Sequence, residues 1–310
     1  MSRVAVAAVV AAGLLGAPAV LSDFWVFIAI EVLAFALYAV SFNLLLGFGG
    51  MLSFGHAAYF GVGGYAVALL LNRMALPLGV AVVGAPIAAA AVAVVIGYLS
   101  VRRTGIYFAM LTFAFQMLLY TVAIKWTGLT GGFDGITGVR PHGVLSDPRL
   151  YYFFTLAVVA AALLALYRLV GSPFGYALRA LRTNPRRLQY VGVDVRTHRW
   201  AAFVIAGAAA GLAGGLFALA SGNVFPSWLD WTASATPIVM AVLGGIHAFL
   251  GPVIGAAIYV VLEVVISGQT EYWPLVMGCV IVVLVLVLPE GLTGWRALGW
   301  RGVRARGVVP

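Results

Sequence analysis

The feature that most restricts this chain is a succession of apolar stretches separated by short connectors. They lie near 4–21, 25–46, 57–71, 78–99, 105–124, 150–170, 200–220, 233–249, 252–267 and 274–288. About 20 apolar residues in a helix match the thickness of a bilayer core. In lipid every backbone N–H and C=O must be paired inside the segment, which a helix achieves. Only 9% of residues are charged and 64% are hydrophobic, whereas soluble domains are about a quarter charged. A water-soluble globule is excluded. The expectation is an all-α polytopic membrane protein, one domain over 1–310, with about ten transmembrane helices. The first run follows Arg3 and contains Ala17-Pro18-Ala19, so a cleaved secretory signal is one reading. The immediate succession of further runs favours an uncleaved first span.

Charge orients the runs. The net charge is +9, carried by arginine except for Lys125. With the N-terminus inside and ten spans, Arg102 and Arg103 fall inside. So does a loop of about 171–199, where Arg168 to Arg199 hold seven arginines and one acid, Asp194. So does a basic tail, about 290–310, with Arg296, Arg301, Arg304 and Arg306. Every dense basic cluster then lies on one side, as the positive-inside rule requires. The expectation is a multi-pass membrane protein with both termini cytoplasmic. The basic balance is thereby explained by the membrane surface, and no aromatic-basic motif of a nucleic-acid reader is present.

Catalytic signatures are missing. Lys125 has no glycine pattern before it, so the chain lacks the phosphate-binding loop G-x-x-x-x-G-K-[ST]. His56, His142, His198 and His247 are scattered without metal-ligand spacing, and Cys279 stands alone. No nucleophile, base and orienting group form a set. The chain reads as a non-enzyme with no cofactor or metal of its own.

Two stretches carry information beyond hydropathy. "GFGGMLSFGHAAYFGVGG", 47–64, holds seven glycines, a serine and a histidine between apolar runs. Irregular backbone at membrane depth is tolerated where protein buries it or where it borders a water-filled cavity. Asn43, Gly50, Ser53, Gly55 and His56 are therefore candidates for a translocation path. A similar alternation recurs at 241–258, "AVLGGIHAFLGPVIGAAI", and related halves are usual in transporters. Gly207, Gly211 and Gly215, like Gly251 and Gly255, are four apart and suit close helix packing.

The second stretch is "GSPFGYALRALRTNPRRLQYVGVDVRTHR", 171–199. Ser172-Pro173 and Asn184-Pro185 each place a capping residue before a proline, which predicts helices over about 173–183 and 185–191. Phe174, Leu178, Leu181 and Leu188 share one face; Arg179, Arg182 and Arg186 share another. A basic amphipathic element of this kind suits lipid headgroups or a cytoplasmic partner.

"NLLLGFGGMLSFGHAAYFGVGGYAVALL" and "SPFGYALRALRTNPRRLQYVGVDVRTHRWAAFVIAGAAAGLAGGLFAL", with "TGLTGGFDGITGV" and "ATPIVMAVLGGIHAFLGPVIGAAI", resemble the LivM-type permease of bacterial branched-chain amino acid ABC importers. The resemblance runs from about 25 to 295. It implies a ten-helix permease working with a LivH-like second permease and two subunits that bind the ATP. It also implies a periplasmic or lipid-anchored substrate-binding protein. The basic loop would dock on the ATPases through Phe174, Leu178, Arg179, Leu181, Arg182 and Arg186. Members usually carry an acid just after the arginine aligned with Arg182; here Thr183-Asn184-Pro185 follows. Glu31 and Glu263 lie inside apolar runs, where a carboxylate is costly and often functional. They leave open a second reading, a self-sufficient ion-coupled secondary transporter, beside a hydrogen-bonded structural role.

Overall fold

The computed structural model of the chain describes residues 21–287, Gly291 and Leu292, and Gly13, Leu15, Gly16 and Pro18. The first apolar run with its cleavage question, the basic tail and both termini lie outside the described residues. The remaining nine runs are all helices, in chain order α1 (Asp23–Asn43), α2 (His56–Asn72), α3 (Leu78–Ser100), α4 (Ile106–Lys125) and α5 (Pro148–Val170). The basic loop forms α6 (Pro173–Thr183) and α7 (Pro185–Tyr190), within one residue of the expected bounds. Then come α8 (Val195–Ser221), α9 (Trp231–Gly244), α10 (Gly251–Ser267) and α11 (Trp273–Val287). Five of these are long and apolar enough to cross a membrane, and α9, α10 and α11 are shorter apolar helices. The chain is a polytopic membrane protein.

The core is built round α8. Gly207, Gly211 and Gly215 face Ala93, Ala89 and Ala85 of α3, all three alanines fully buried. A Cβ on Gly207 would lie 2.7 Å from Cβ of Ala93, and one on Gly215 2.7 Å from Cβ of Ala85. On the other flank Gly63 of α2 meets the Gly211 backbone, and Gly214 meets the Phe60 backbone. Lipid supplies no hydrophobic drive between helices, so this close backbone approach provides the packing that holds them. The four-residue glycine spacing thus does what was expected of it. Gly251 and Gly255 do the same for α10 against Gly244 and Met240 of α9.

The basic clusters converge. Tyr98 takes Arg102 and Arg196 over its ring at 4.7 and 5.2 Å, and Arg103 and Arg199 line one small cavity beside Gly50. At the other end of α1, Asp23 and Arg140 line a cavity of about 520 Å³ with Tyr151 and Ser221. A two-stranded antiparallel ribbon, β1 (Ile136–Thr137) and β2 (Asn223–Val224), pairs Ile136 with Val224 and ties the 126–147 loop to the end of α8.

Two local expectations are corrected. Ser172 does not cap α6; its hydroxyl donates back to the Leu169 carbonyl at 2.7 Å. Asn184 does cap α7, accepting from the Arg187 N–H at 3.1 Å. The 233–249 run ends early, because Gly245 takes φ 107° and ψ 113°, a conformation reserved for glycine.

Candidate functional site

The glycine block breaks a helix. After Asn43, α1 widens into a π-helical turn, Leu44–Phe48, a distortion frequent at functional sites. The turn closes with nested bonds from Gly49 N to Leu44 O, Gly50 N to Leu46 O, and Met51 N to Leu45 O. These resemble a Schellman cap with each span one residue longer, and Gly50 supplies the left-handed φ of 64° that the cap needs. The carbonyl of Gly47 is passed over by this ladder. It accepts instead from Nη1 of Arg182 at 2.5 Å.

Arg182 belongs to the basic loop, so the structure joins the two groups of candidates that the sequence presented separately. Helix α6 is seated on the break. Leu178 packs on Gly49, where a Cβ would lie 3.3 Å from Cδ1 of Leu178. The Arg179 guanidinium sits 5.1 Å over the Phe48 ring and 5.5 Å over Tyr176. The Arg182 stem crosses Gly50 so closely that a Cβ there would be 2.9 Å from Cγ of Arg182.

A second break, 245–250, separates α9 from α10 and meets the first. A Cβ on Gly47 would collide with the Ile246 carbonyl, and Asn43 Nδ2 donates to the Ala248 carbonyl at 3.5 Å. Arg182 also reaches His247 Nδ1 at 3.5 Å. A guanidinium only donates, so that nitrogen accepts. The two glycine-histidine stretches with similar patterns are therefore both helix–break–helix, and they touch.

Beyond the break, helix α2 restarts at His56. The ring is fully buried, stacked on Tyr38 at 5.5 Å and edge-on to Phe42 and Tyr59, and Nε2 lies 2.8 Å from the Ser41 hydroxyl. The N–H of Ala57 donates to Ser234 of α9, whose hydroxyl donates to Gln116 Oε1 at 2.8 Å. Gln116 in turn donates to the Leu229 carbonyl. Gly55 lies against the Thr112 backbone of α4, where any side chain would clash. Asn43 Oδ1, Ser53 Oγ and His56 Nδ1 are buried and unpaired. An unsatisfied buried group costs about 1–3 kcal/mol, so this short stretch keeps polarity at a cost. All three residues are sealed from solvent in this conformation.

The apolar docking candidates are placed otherwise than expected. Leu178 and Leu181 are 0% and 1% exposed, inside the chain's own core, and Phe174 stacks on His198 at 5.5 Å. The stripe that was expected to anchor a partner is occupied by this chain, because α6 buries it against the break and α8. Arg179 and Arg186 stay exposed, with Tyr176 and Tyr190 beside them. Ser41, Gln116, Ser234, Phe48 and His247 were missed as site residues. For all but Phe48 the available signal was a polar residue inside an apolar run. Glu31 and Glu263, on α1 and α10, are both half-buried.

The chain is similar to known transport permeases. A family model described as "Branched-chain amino acid transport system / permease component" matches residues 24–286. The permease protein LivM of the high-affinity branched-chain amino acid transport system of Escherichia coli K12 is 27% identical over 292 residues, covering 86% of this chain and 69% of the relative. A probable LivM of Methanocaldococcus jannaschii is 26% identical, covering 77% and 81%. LivH of the E. coli system is 24% identical, covering 84% and 91%. No solved structure matches the chain. A match that runs through both helix breaks and the basic loop between them decides the matter: the chain belongs to the branched-chain amino acid transport permease family.

Proposed function

We propose that this chain is one of two membrane-spanning permease subunits of an ATP-driven ABC importer for branched-chain or related amino acids. It works with a LivH-like second permease, two subunits that bind and hydrolyse ATP, and a periplasmic or lipid-anchored substrate-binding protein. It sits in a bacterial inner membrane with ten spans and both termini cytoplasmic. It needs no cofactor of its own. The names of its relatives support the solute class, and the convergence of its arginines at one end supports the orientation.

One observation carries the reading: the basic element α6–α7 is clamped onto the break in α1. A surface helix whose only task was to lie on lipid would turn its apolar stripe to the bilayer. Here that stripe is buried within the chain, and a basic-aromatic face of Tyr176, Arg179, Arg186 and Tyr190 is left outward for the ATPase. The path runs past Asn43, Gly50, Ser53, Gly55 and His56, closed in this conformation and opened as the breaks move.

The test is reconstitution in proteoliposomes. The four-component importer takes up a branched-chain amino acid only with ATP and binding protein, and this chain alone neither hydrolyses ATP nor transports. Uptake by the chain alone, driven by an ion gradient and lost in Glu263→Gln, sinks the proposal. Cysteines at Arg186 and Asp134, with Cys279 replaced, label from opposite sides; labelling from one side sinks the ten-span orientation.

A further inference from the structure

We propose that Arg182 is a positioning residue of the transport cycle, carrying movement of the docking helix α6 to both helix breaks at once. The inference rests on the reading of α6–α7 as the docking element. Its basis is the convergence of three chain segments on one guanidinium.

The first segment is the end of α1. Its π-helical turn satisfies the Leu44, Leu45 and Leu46 carbonyls internally and leaves Gly47 O for Arg182. The second is the end of α9, three residues before His247, whose Nδ1 lies 3.5 Å from the same nitrogen of Arg182. The third is α6 itself, fixed by fully buried Leu178 and Leu181 so that it moves as a rigid lever. The C-terminal turn of α1 therefore points its partial negative charge at this cation, and the break after α9 offers it the His247 ring nitrogen. Among the described residues no carboxylate pairs with Arg182; its guanidinium is met by the Gly47 carbonyl and the His247 ring and not by an ion pair.

The geometry makes the link tight. Gly50 lies under the Arg182 stem with no room for a side chain, and the two breaks touch each other through Asn43 with Ala248 and Gly47 with Ile246. A shift of α6 must either drag Gly47 and His247 along or rupture the hydrogen bond to Gly47. The π-helical turn and the left-handed Gly50 are where the backbone can yield. Arginine suits the position because Nη1 holds two N–H groups, one for each acceptor, in a fixed planar group, whereas the lysine ammonium swivels on a flexible stem.

The experiment uses the complete importer in proteoliposomes and reads solute moved per ATP hydrolysed, beside complex assembly and thermal stability. Arg182→Ala lowers that ratio about tenfold or more, the equilibrium change carried by one charge-assisted hydrogen bond. Assembly and hydrolysis are little changed. Arg182→Lys recovers part of the ratio. Gly50→Ala displaces the stem from below and lowers the ratio in the same direction. The double variant with Arg182→Ala is no worse than Arg182→Ala alone, as two lesions in one link require. Normal coupling in Arg182→Ala, a parallel fall of transport and hydrolysis, or additive effects in the double variant overturns the inference. If Arg182→Ala does not assemble, Arg182→Lys and Gly50→Ala decide, and normal coupling in both overturns it. A wild-type importer without ATP-dependent uptake overturns the functional reading, and this inference with it.

Discussion

Gly63→Ala is the sharpest test of the packing. A methyl on Gly63 would overlap the carbonyl oxygen of Gly211 outright and lie 2.5 Å from its carbonyl carbon and Cα, while ordinary contact begins at 3.4 Å. The α2 and α8 backbones must part by at least about 0.9 Å, the difference at those two carbons, and a gap of about 1 Å already forfeits roughly half of each facing contact. Neither side can rotate away, because both are helix backbone. Overpacking costs about 1–3 kcal/mol, and the rigid partner puts this site at the upper end. Alanine returns about 1 kcal/mol as the better helix former, so the net loss is about 2 kcal/mol. Gly278, inside α11, has nothing within 4 Å of its would-be Cβ. Gly278→Ala therefore gains up to about 1 kcal/mol. The same substitution has opposite signs at two helical glycines. Equilibrium unfolding of the purified chain in detergent, by heat or by titrated denaturing surfactant, measures both. A Gly63→Ala variant within about 0.5 kcal/mol of wild type, or equal changes at the two sites, refutes the reasoning.

Leu178→Ala opens a cavity in the chain's own core and costs about 2–5 kcal/mol of its stability. Arg186→Ala stays within about 0.5 kcal/mol yet weakens co-purification of the ATPase; the reverse order returns the apolar stripe to the partner. Glu31→Gln and Glu263→Gln retain ATP-driven uptake, and loss of uptake in either assigns the pair a transport role. Asp194 caps α8 from outside the spans, and its pKa is depressed, first by the hydrogen bond from the Thr197 hydroxyl and then by the Arg196 N–H. A depressed carboxyl pKa stabilises above the unfolded value and loses that stabilisation as pH falls through the folded one. Acidification below the usual carboxylate range therefore frays the start of α8. Thr197→Val moves the onset to higher pH, read by amide exchange at Arg196, and an unchanged onset removes Thr197 from the cap.

Element positions could be read from the sequence because the chain obeys one strong rule. Nine apolar runs are nine helices, and Pro173 and Pro185 marked α6 and α7, since proline at a helix start is enforced by its missing N–H and fixed φ. The truncation of the 233–249 run was hidden. Gly244-Gly245 is as apolar as its neighbours, and only the φ of 107° at Gly245 reveals the break. Face assignment gave the periodicity of Leu178 and Leu181 correctly but not what covers them. Hydropathy identifies which side of a helix seeks burial and says nothing about whether the same chain or another supplies it. The link from Arg182 to Gly47 and His247 was hidden for a similar reason, because a carbonyl acceptor leaves no mark in the side-chain sequence.

The inward turn of the α6 stripe gives the element its mechanical meaning. A helix held to the permease only by exposed salt bridges would slide under load, since such contacts contribute about 0–1 kcal/mol each. Leu178 and Leu181 instead sink wholly into the core, so a force applied at Tyr176 or Arg186 reaches the break before α6 detaches. The break is the compliant part. Three of its polar atoms, Asn43 Oδ1, Ser53 Oγ and His56 Nδ1, lack partners in the closed arrangement, which weakens that arrangement relative to any conformation that hydrates them or offers them a solute. A stiff lever and a strained, polar hinge together let a modest displacement of the basic loop shift the population at the break. A ligand can favour an opened state only by binding it better than the closed one. On the proposed function, the unpaired polar atoms at 43–56 are groups through which a transported amino acid makes that distinction.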